Sequence, residues 1–182
     1  DTPVGEAKAC GGDALMRRRA LDQVDGYRDD LIAGEEPEMC YRMRQKGWRI
    51  LRIDAEMTWH DAAITRLSQW WQRNRRAGHA FAEVAALHGI GPERYWVAEA
   101  RRALVWGAVL PFLTVLVLFI SPRLALLLLL AWPAQVLRLK VRGMPWYGAV
   151  FVTFGKLPEA QGVLGHFGGR LIGRRRRLIE YK

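Results

Sequence analysis

The sequence predicts an α/β segment followed by α-helical membrane segments. Three observations lead there. Within the first 60 residues, short helical stretches alternate with a strand-like run, Trp48-Arg49-Ile50-Leu51-Arg52-Ile53. Charge divides unevenly: residues 1–60 hold 10 basic and 12 acidic side chains, whereas the remainder holds 18 basic and 6 acidic. Two long apolar runs lie in that basic remainder. A near-neutral head joined to a basic, apolar tail fits a soluble part attached to a membrane part. The basic residues flank apolar runs and do not line one polar face, so nucleic acid is not an expected partner.

At 182 residues the length suits one or two domains. The chain opens at Asp1 without an initiator Met, and a piece of a longer polypeptide is the expectation. Cys10 and Cys40 are the only cysteines. Two thiols without a CxxC spacing or a secretory signal predict a reducing compartment and no cysteine metal site.

Taken in order, residues 1–9 read as loop or strand end. Cys10-Gly11-Gly12-Asp13 is a tight backbone element. Its paired glycines permit positive φ angles or the close approach of a ligand, and an ordinary turn is the simpler alternative. Arg17-Arg18-Arg19 leads into a short helix ending at Gly26, with Ala20, Leu21 and Val24 on its apolar face. Residues 27–33 form a loop.

The stretch from Gly34 to Trp48 reads as a helix with both ends marked. Pro37 suits the first helical position, which makes Glu36 the expected extended N-cap. Met39 and Met43 form a buried stripe, Arg42, Arg44 and Lys46 crowd the negative end of the dipole, and Gly47 fits a left-handed stop. Glu35 and Glu36 are thereby held at a helix N-terminus, with Glu38 just inside. Acids placed so can simply compensate the helix dipole, or they can present carboxylates to a ligand.

After the strand, closed by Asp54, His60 stands beside Asp61, where a carboxylate can orient an imidazole as a metal ligand. Residues 63–88 are helical in pattern. Trp70 and Trp71 among Arg66, Arg73, Arg75 and Arg76 suit a bilayer headgroup zone. Gly89-Ile90-Gly91-Pro92 breaks that helix and 93–102 starts another. Ala103 to Ile120 is an 18-residue uncharged run, within the length that crosses a hydrocarbon core of about 30 Å. Leu124 to Leu137, with five consecutive leucines, is a second run of 14 residues that Arg138 and Lys140 can extend by snorkelling. Arg101, Arg102, Arg138, Lys140 and Arg142 flank the hairpin and only Arg123 sits in its turn, so both ends are expected in the cytoplasm. Met144 to Phe154 is too short to span and reads as interfacial or re-entrant. The tail from Arg170 to Lys182 is polybasic and suits anionic lipids.

In this order, Cys-Gly-Gly-Asp-Ala-Leu-Met-Arg-Arg, then Gly-Glu-Glu-Pro-Glu-Met-Cys-Tyr-Arg-Met-Arg-Gln-Lys-Gly-Trp, then an aromatic-basic helix and a hairpin, the chain resembles the C-terminal half of a membrane-bound family 2 glycosyltransferase with the GT-A fold. The resemblance covers essentially the whole chain. It implies that Glu35 and Glu36 match the family's Glu-Asp motif, Glu36 being the general base on the acceptor hydroxyl. It implies that Cys10, Gly11 and Gly12 line the sugar pocket, with Asp13, Glu38, Trp71 and Arg73 also binding substrate. His60 matches a histidine that helps bind a divalent cation, Mg²⁺ or Mn²⁺. The implied partners are a nucleotide-sugar donor, a lipid-linked or envelope glycan acceptor and membrane lipids. The implied location is a bacterial inner membrane, multi-pass, with head and C-terminus cytoplasmic.

Glu stands where the family has Asp. Residues Gln69 to Gly78 do not reproduce the Gln-x-x-Arg-Trp motif of processive synthases, which favours single-sugar transfer. The chain contains no Asp-x-Asp motif and no nucleotide-binding half, so alone it is expected to be inactive. The implied organisation is 1–62 as the end of a GT-A domain, 63–100 as interfacial helices, 101–142 as a membrane hairpin and 143–182 as an apolar segment with a basic tail. The competing class is a non-enzymatic membrane docking module whose tail binds anionic lipid. A small transporter is disfavoured because neither apolar run carries a charge.

Overall fold

A computed structural model describes residues 3–55 and 63–173. The chain divides into two compact units, Asp1–Thr65 and Arg66–Lys182, three residues beyond the expected boundary. It is mostly helical, and the expected α/β character reduces to one two-stranded sheet among the described residues.

In the first unit, β1 (Gly5–Ala7) pairs antiparallel with β2 (Ile50–Arg52), Glu6 lying opposite Leu51. The strand expected over 48–53 is present but three residues long. The helices α1 (Arg18–Asp22) and α2 (Glu35–Gln45) pack beside it. Ala20 and Val24 meet Met39 and Met43, and Met16, Leu21, Trp48 and Ile50 close around them. The Trp48 indole N–H donates to Gln23 Oε1 at 2.8 Å, which satisfies its one polar atom. Thus the buried stripe predicted for α2 is its core face.

The start of α2 corrects the expected N-cap. Gly34, at φ 85°, occupies that position, and Glu35 and Glu36 are already helical. Pro37 is tolerated at the third position because the first N–H groups of a helix have no partner within it. The first helical bond runs from the Glu38 N–H to the Gly34 carbonyl at 3.0 Å. The far end follows expectation: Gly47 adopts φ 82°. The Gly47 N–H donates to Arg44 O and the Trp48 N–H to Met43 O, which is a Schellman stop.

The second unit is all helical among its described residues: α3 (Leu67–His88), α4 (Val97–Leu104), a π turn (Val105–Val109), α5 (Leu110–Leu118), α6 (Pro122–Leu129), α7 (Ala131–Val141), α8 (Trp146–Phe154) and α9 (Lys156–Leu171). Two helices, Val97–Leu118 and Pro122–Val141, are long and apolar enough to cross a membrane. The second exceeds the 14-residue run read from sequence. Their side chains mostly face outward, Phe112, Val115, Leu118, Leu126 and Leu127 all being more than half exposed. Pro111 lies two residues past the π turn, a local widening of the kind that relieves a proline's clash with the preceding turn.

Towards the end of the chain, the stretch read as interfacial or re-entrant forms the nine-residue helix α8, and α9, with no counterpart among the elements read from sequence, follows it. The α9 helix lies close against α3 because both carry glycines at the contact. A Cβ at Gly78 would collide with the Glu159 carbonyl, and one at Gly162 with the Arg75 carbonyl. Around this seam Ala82, Ala100, Ala103 and Val163 are buried, and Trp70 packs edge-on against Phe151 at 5.4 Å. Glu159 is buried there with Lys156 Nζ at 2.5 Å. Burial holds its carboxyl above the ordinary range, and Lys156 opposes that shift. The polybasic run 174–182 lies outside the described residues.

Candidate functional site

The site residues predicted from sequence fall in three places. Cys10, Gly11, Gly12, Asp13, Glu35, Glu36 and Glu38 belong to the first unit, and Trp71 and Arg73 to the second. His60 lies outside the described residues. Trp71 donates its indole N–H to Gln161 Oε1 at 2.9 Å and so tethers α3 to α9, whereas Arg73 is exposed.

In the first unit one buried ion pair fixes α2. Glu38 has no exposed surface, and its two carboxylate oxygens accept Arg42 Nε at 3.0 and 2.9 Å and a terminal Arg42 nitrogen at 2.8 Å. Arg42 continues across to the end of α1, donating to the Gly26 carbonyl at 2.7 Å and to the Val24 carbonyl. A planar guanidinium with five donors suits this branching role. Glu38 is therefore an anchor, engaged inside the protein, while Glu35 and Glu36, one turn nearer the N-terminus, remain part-exposed.

Arg44 holds the other side. Its Nε donates to the Lys8 carbonyl at 3.0 Å and its guanidinium lies over the Tyr41 ring at 5.6 Å. The segment leading from β1 to Cys10 is thus drawn onto α2. Two residues on, the Cys10 and Cys40 sulfurs meet at 3.3 Å, a hydrogen bond between thiols thirty residues apart. Cys40 is fully buried, one turn along α2 from Glu36, and Cys10 is half-buried. This contact brings the Cys-Gly-Gly element and the acidic turn together.

Gly11 and Gly12 are exposed, and neither adopts a positive φ. Nor would a Cβ at either glycine meet any atom within 4 Å. The backbone conformation therefore does not demand glycine there. What the pair supplies is bare backbone facing open space. Asp13 is exposed beside them.

Electrostatics adds a residue that the sequence did not single out. Burial first, then the negative charges of Cys10, Glu36, Cys40 and Glu35, push the Tyr27 phenol above its usual value. Tyr27 hence shares one patch with the acidic turn and the thiols, from a loop that carried no distinguishing pattern. The Cys10 hydrogen bond lowers the Cys40 thiol to about 7, burial opposes this and Arg44 assists it; the same hydrogen bond raises Cys10.

The arrangement can accept a proton at a part-exposed carboxylate held on a braced helix, beside an open backbone surface and a phenol able to hydrogen-bond a polar ligand. Among the described residues no group of three or more His, Cys, Asp and Glu is placed to hold a metal ion. No protein-family model matches the chain, and no curated protein or solved structure is found similar to it.

Proposed function

We propose that this chain forms the acceptor-side and membrane part of an inverting family 2 glycosyltransferase of GT-A type, moving one sugar from a nucleotide-sugar to a lipid-linked or envelope glycan. The observation that carries the reading is the 3.3 Å meeting of Cys10 and Cys40, which sets the Cys-Gly-Gly element against the helix of Glu36. Those two motifs are far apart in sequence, and the proposed chemistry needs them in one pocket. Glu36 would take the proton of the acceptor hydroxyl as that oxygen attacks the anomeric carbon. Glu35 and Tyr27 would orient the acceptor, and the backbone of Gly11 and Gly12 would lie along a sugar face. A divalent cation, which in this reading neutralises the departing diphosphate, would draw on His60 and on a donor-binding half.

The outward-facing apolar helices Val97–Leu118 and Pro122–Val141 support membrane attachment. Water is a poor solvent for such surface, at about 25 cal/mol for each Å² of apolar area. The positive flanks favour the bacterial inner membrane with the first unit cytoplasmic.

The test is to produce the chain together with a donor-binding half in membranes. Nucleotide-sugar consumption is then followed over a panel of sugars with Mg²⁺ or Mn²⁺. Consumption that requires an acceptor lipid or glycan supports transfer. Absence of turnover with every donor would replace this reading with a membrane docking module.

A further inference from the structure

We propose that Cys10 and Cys40 form a reversible dithiol–disulfide site, closed by a peroxide and reopened by a thiol reductant, that ties the Cys-Gly-Gly turn to α2. The inference concerns a covalent modification and stands independently of the proposed transfer reaction.

Geometry carries it. The sulfurs already touch at 3.3 Å, and either can donate the hydrogen bond between them. A disulfide requires about 2.05 Å, so closing the bond asks for a movement of little more than an ångström. Cys40 sits in the middle of α2, held by Met39 and Met43 in the core and by Arg42 and Arg44 on either side. Cys10 belongs to the irregular segment between β1 and α1 and is followed by two glycines with open space around them. The partner on the irregular segment thus has open space beside it, and the partner on α2 is braced. Cys10 is also the half-buried member, so a small oxidant reaches the pair from its side.

The charges around the pair favour reaction. Arg44 acts on Cys40 from α2 in the direction of the thiolate, Glu36 acts against it, and Tyr27, Glu35 and Glu36 complete the titratable groups of the patch. The Cys10 hydrogen bond, helped by Arg44, favours the thiolate form of Cys40.

The step balances with a peroxide as the two-electron oxidant. The Cys40 thiolate attacks one oxygen of a peroxide that enters past half-buried Cys10. The O–O bond breaks, and Cys40 becomes a sulfenic acid while hydroxide leaves and takes a proton. The Cys10 thiol then attacks the sulfenic sulfur, the S–S bond forms, the S–O bond breaks, and water departs with the thiol proton. In total two thiols and one hydrogen peroxide give one disulfide and two waters. A dithiol such as dithiothreitol reverses this by exchange.

The full chain in detergent micelles, treated with stoichiometric hydrogen peroxide at pH 7, tests the site by intact mass and by thiol alkylation after denaturation. The expected product has lost two hydrogen atoms, has no alkylatable thiol and regains both with dithiothreitol. Bridging should run about ten-fold faster in the folded chain than in urea, because the fold holds the two sulfurs at 3.3 Å and unfolding parts them. Two thiols still alkylatable, bridges only between chains, or equal rates folded and unfolded would overturn the proposal. None of these readouts depends on sugar transfer, so its failure and that of the proposed function remain separable.

Discussion

Arg42→Ala is the perturbation whose cost follows most directly from the structure. The substitution removes three contacts to the fully buried Glu38 carboxylate and both donors to Val24 and Gly26 at the end of α1. Breaking a buried pair by deleting one member leaves an uncompensated charge, which costs about 3–5 kcal/mol. At about 1.4 kcal/mol per factor of ten, opening of α2 should become roughly 10²–10⁴-fold more frequent. Hydrogen exchange by mass spectrometry reads this in peptides covering 35–45, with α3 as the internal reference. Replacing both partners, Glu38→Leu with Arg42→Leu, removes the orphaned charge and should recover most of the protection. Unchanged exchange in Arg42→Ala would refute the claim that this pair positions the acidic turn. So would a double variant as open as the single one.

Two further outcomes follow from the same packing and charges. Under reducing conditions the folded Cys40 binds fewer protons than an unfolded thiol between about pH 7 and its ordinary 9.0, so first-unit stability should rise with pH across that window. Cys10, held protonated beyond its ordinary value, should reverse the trend above it, and Cys10→Ala should flatten the whole profile in urea unfolding. Gly162→Ala, whose Cβ would strike the Arg75 carbonyl, should cost about 1–3 kcal/mol and lower the melting temperature followed by circular dichroism. A melting temperature equal to wild type would show that α3 and α9 can separate freely.

How much of this was legible in the sequence varies by residue. The stop at Gly47 was readable because a left-handed position after a helix has a chemical signature, and Met39 and Met43 because their spacing is that of one face. The start of α2 was misread since the rule for a residue before proline was applied to Glu36. Gly34 takes the unusual backbone angle instead. Arg42 was read as a dipole partner, although its charge reaches back to α1, a long-range contact with no local trace. The α9 helix was missed because Gly162, Gly165, Gly168 and Gly169 give it poor intrinsic propensity. Its stability comes from tertiary packing, where Gly162 permits close approach to α3 while Gly165, Gly168 and Gly169 face open space.

The candidate site shows the same division. Glu35 and Glu36 could be placed at a helix start from sequence, but nothing in a thirty-residue separation announces that Cys10 meets Cys40. Tyr27 lacked any signal, being one aromatic residue in a loop, and only the charges converging on it mark its place.

The most direct measurement compares turnover of wild type and Glu36→Gln in membranes that contain the donor-binding half, with donor binding measured in parallel. The amide keeps the shape and removes the base, so turnover should fall by about 10²–10⁴-fold while donor affinity is unchanged. Equal turnover in the two proteins would contradict the assignment of Glu36 as the acceptor base.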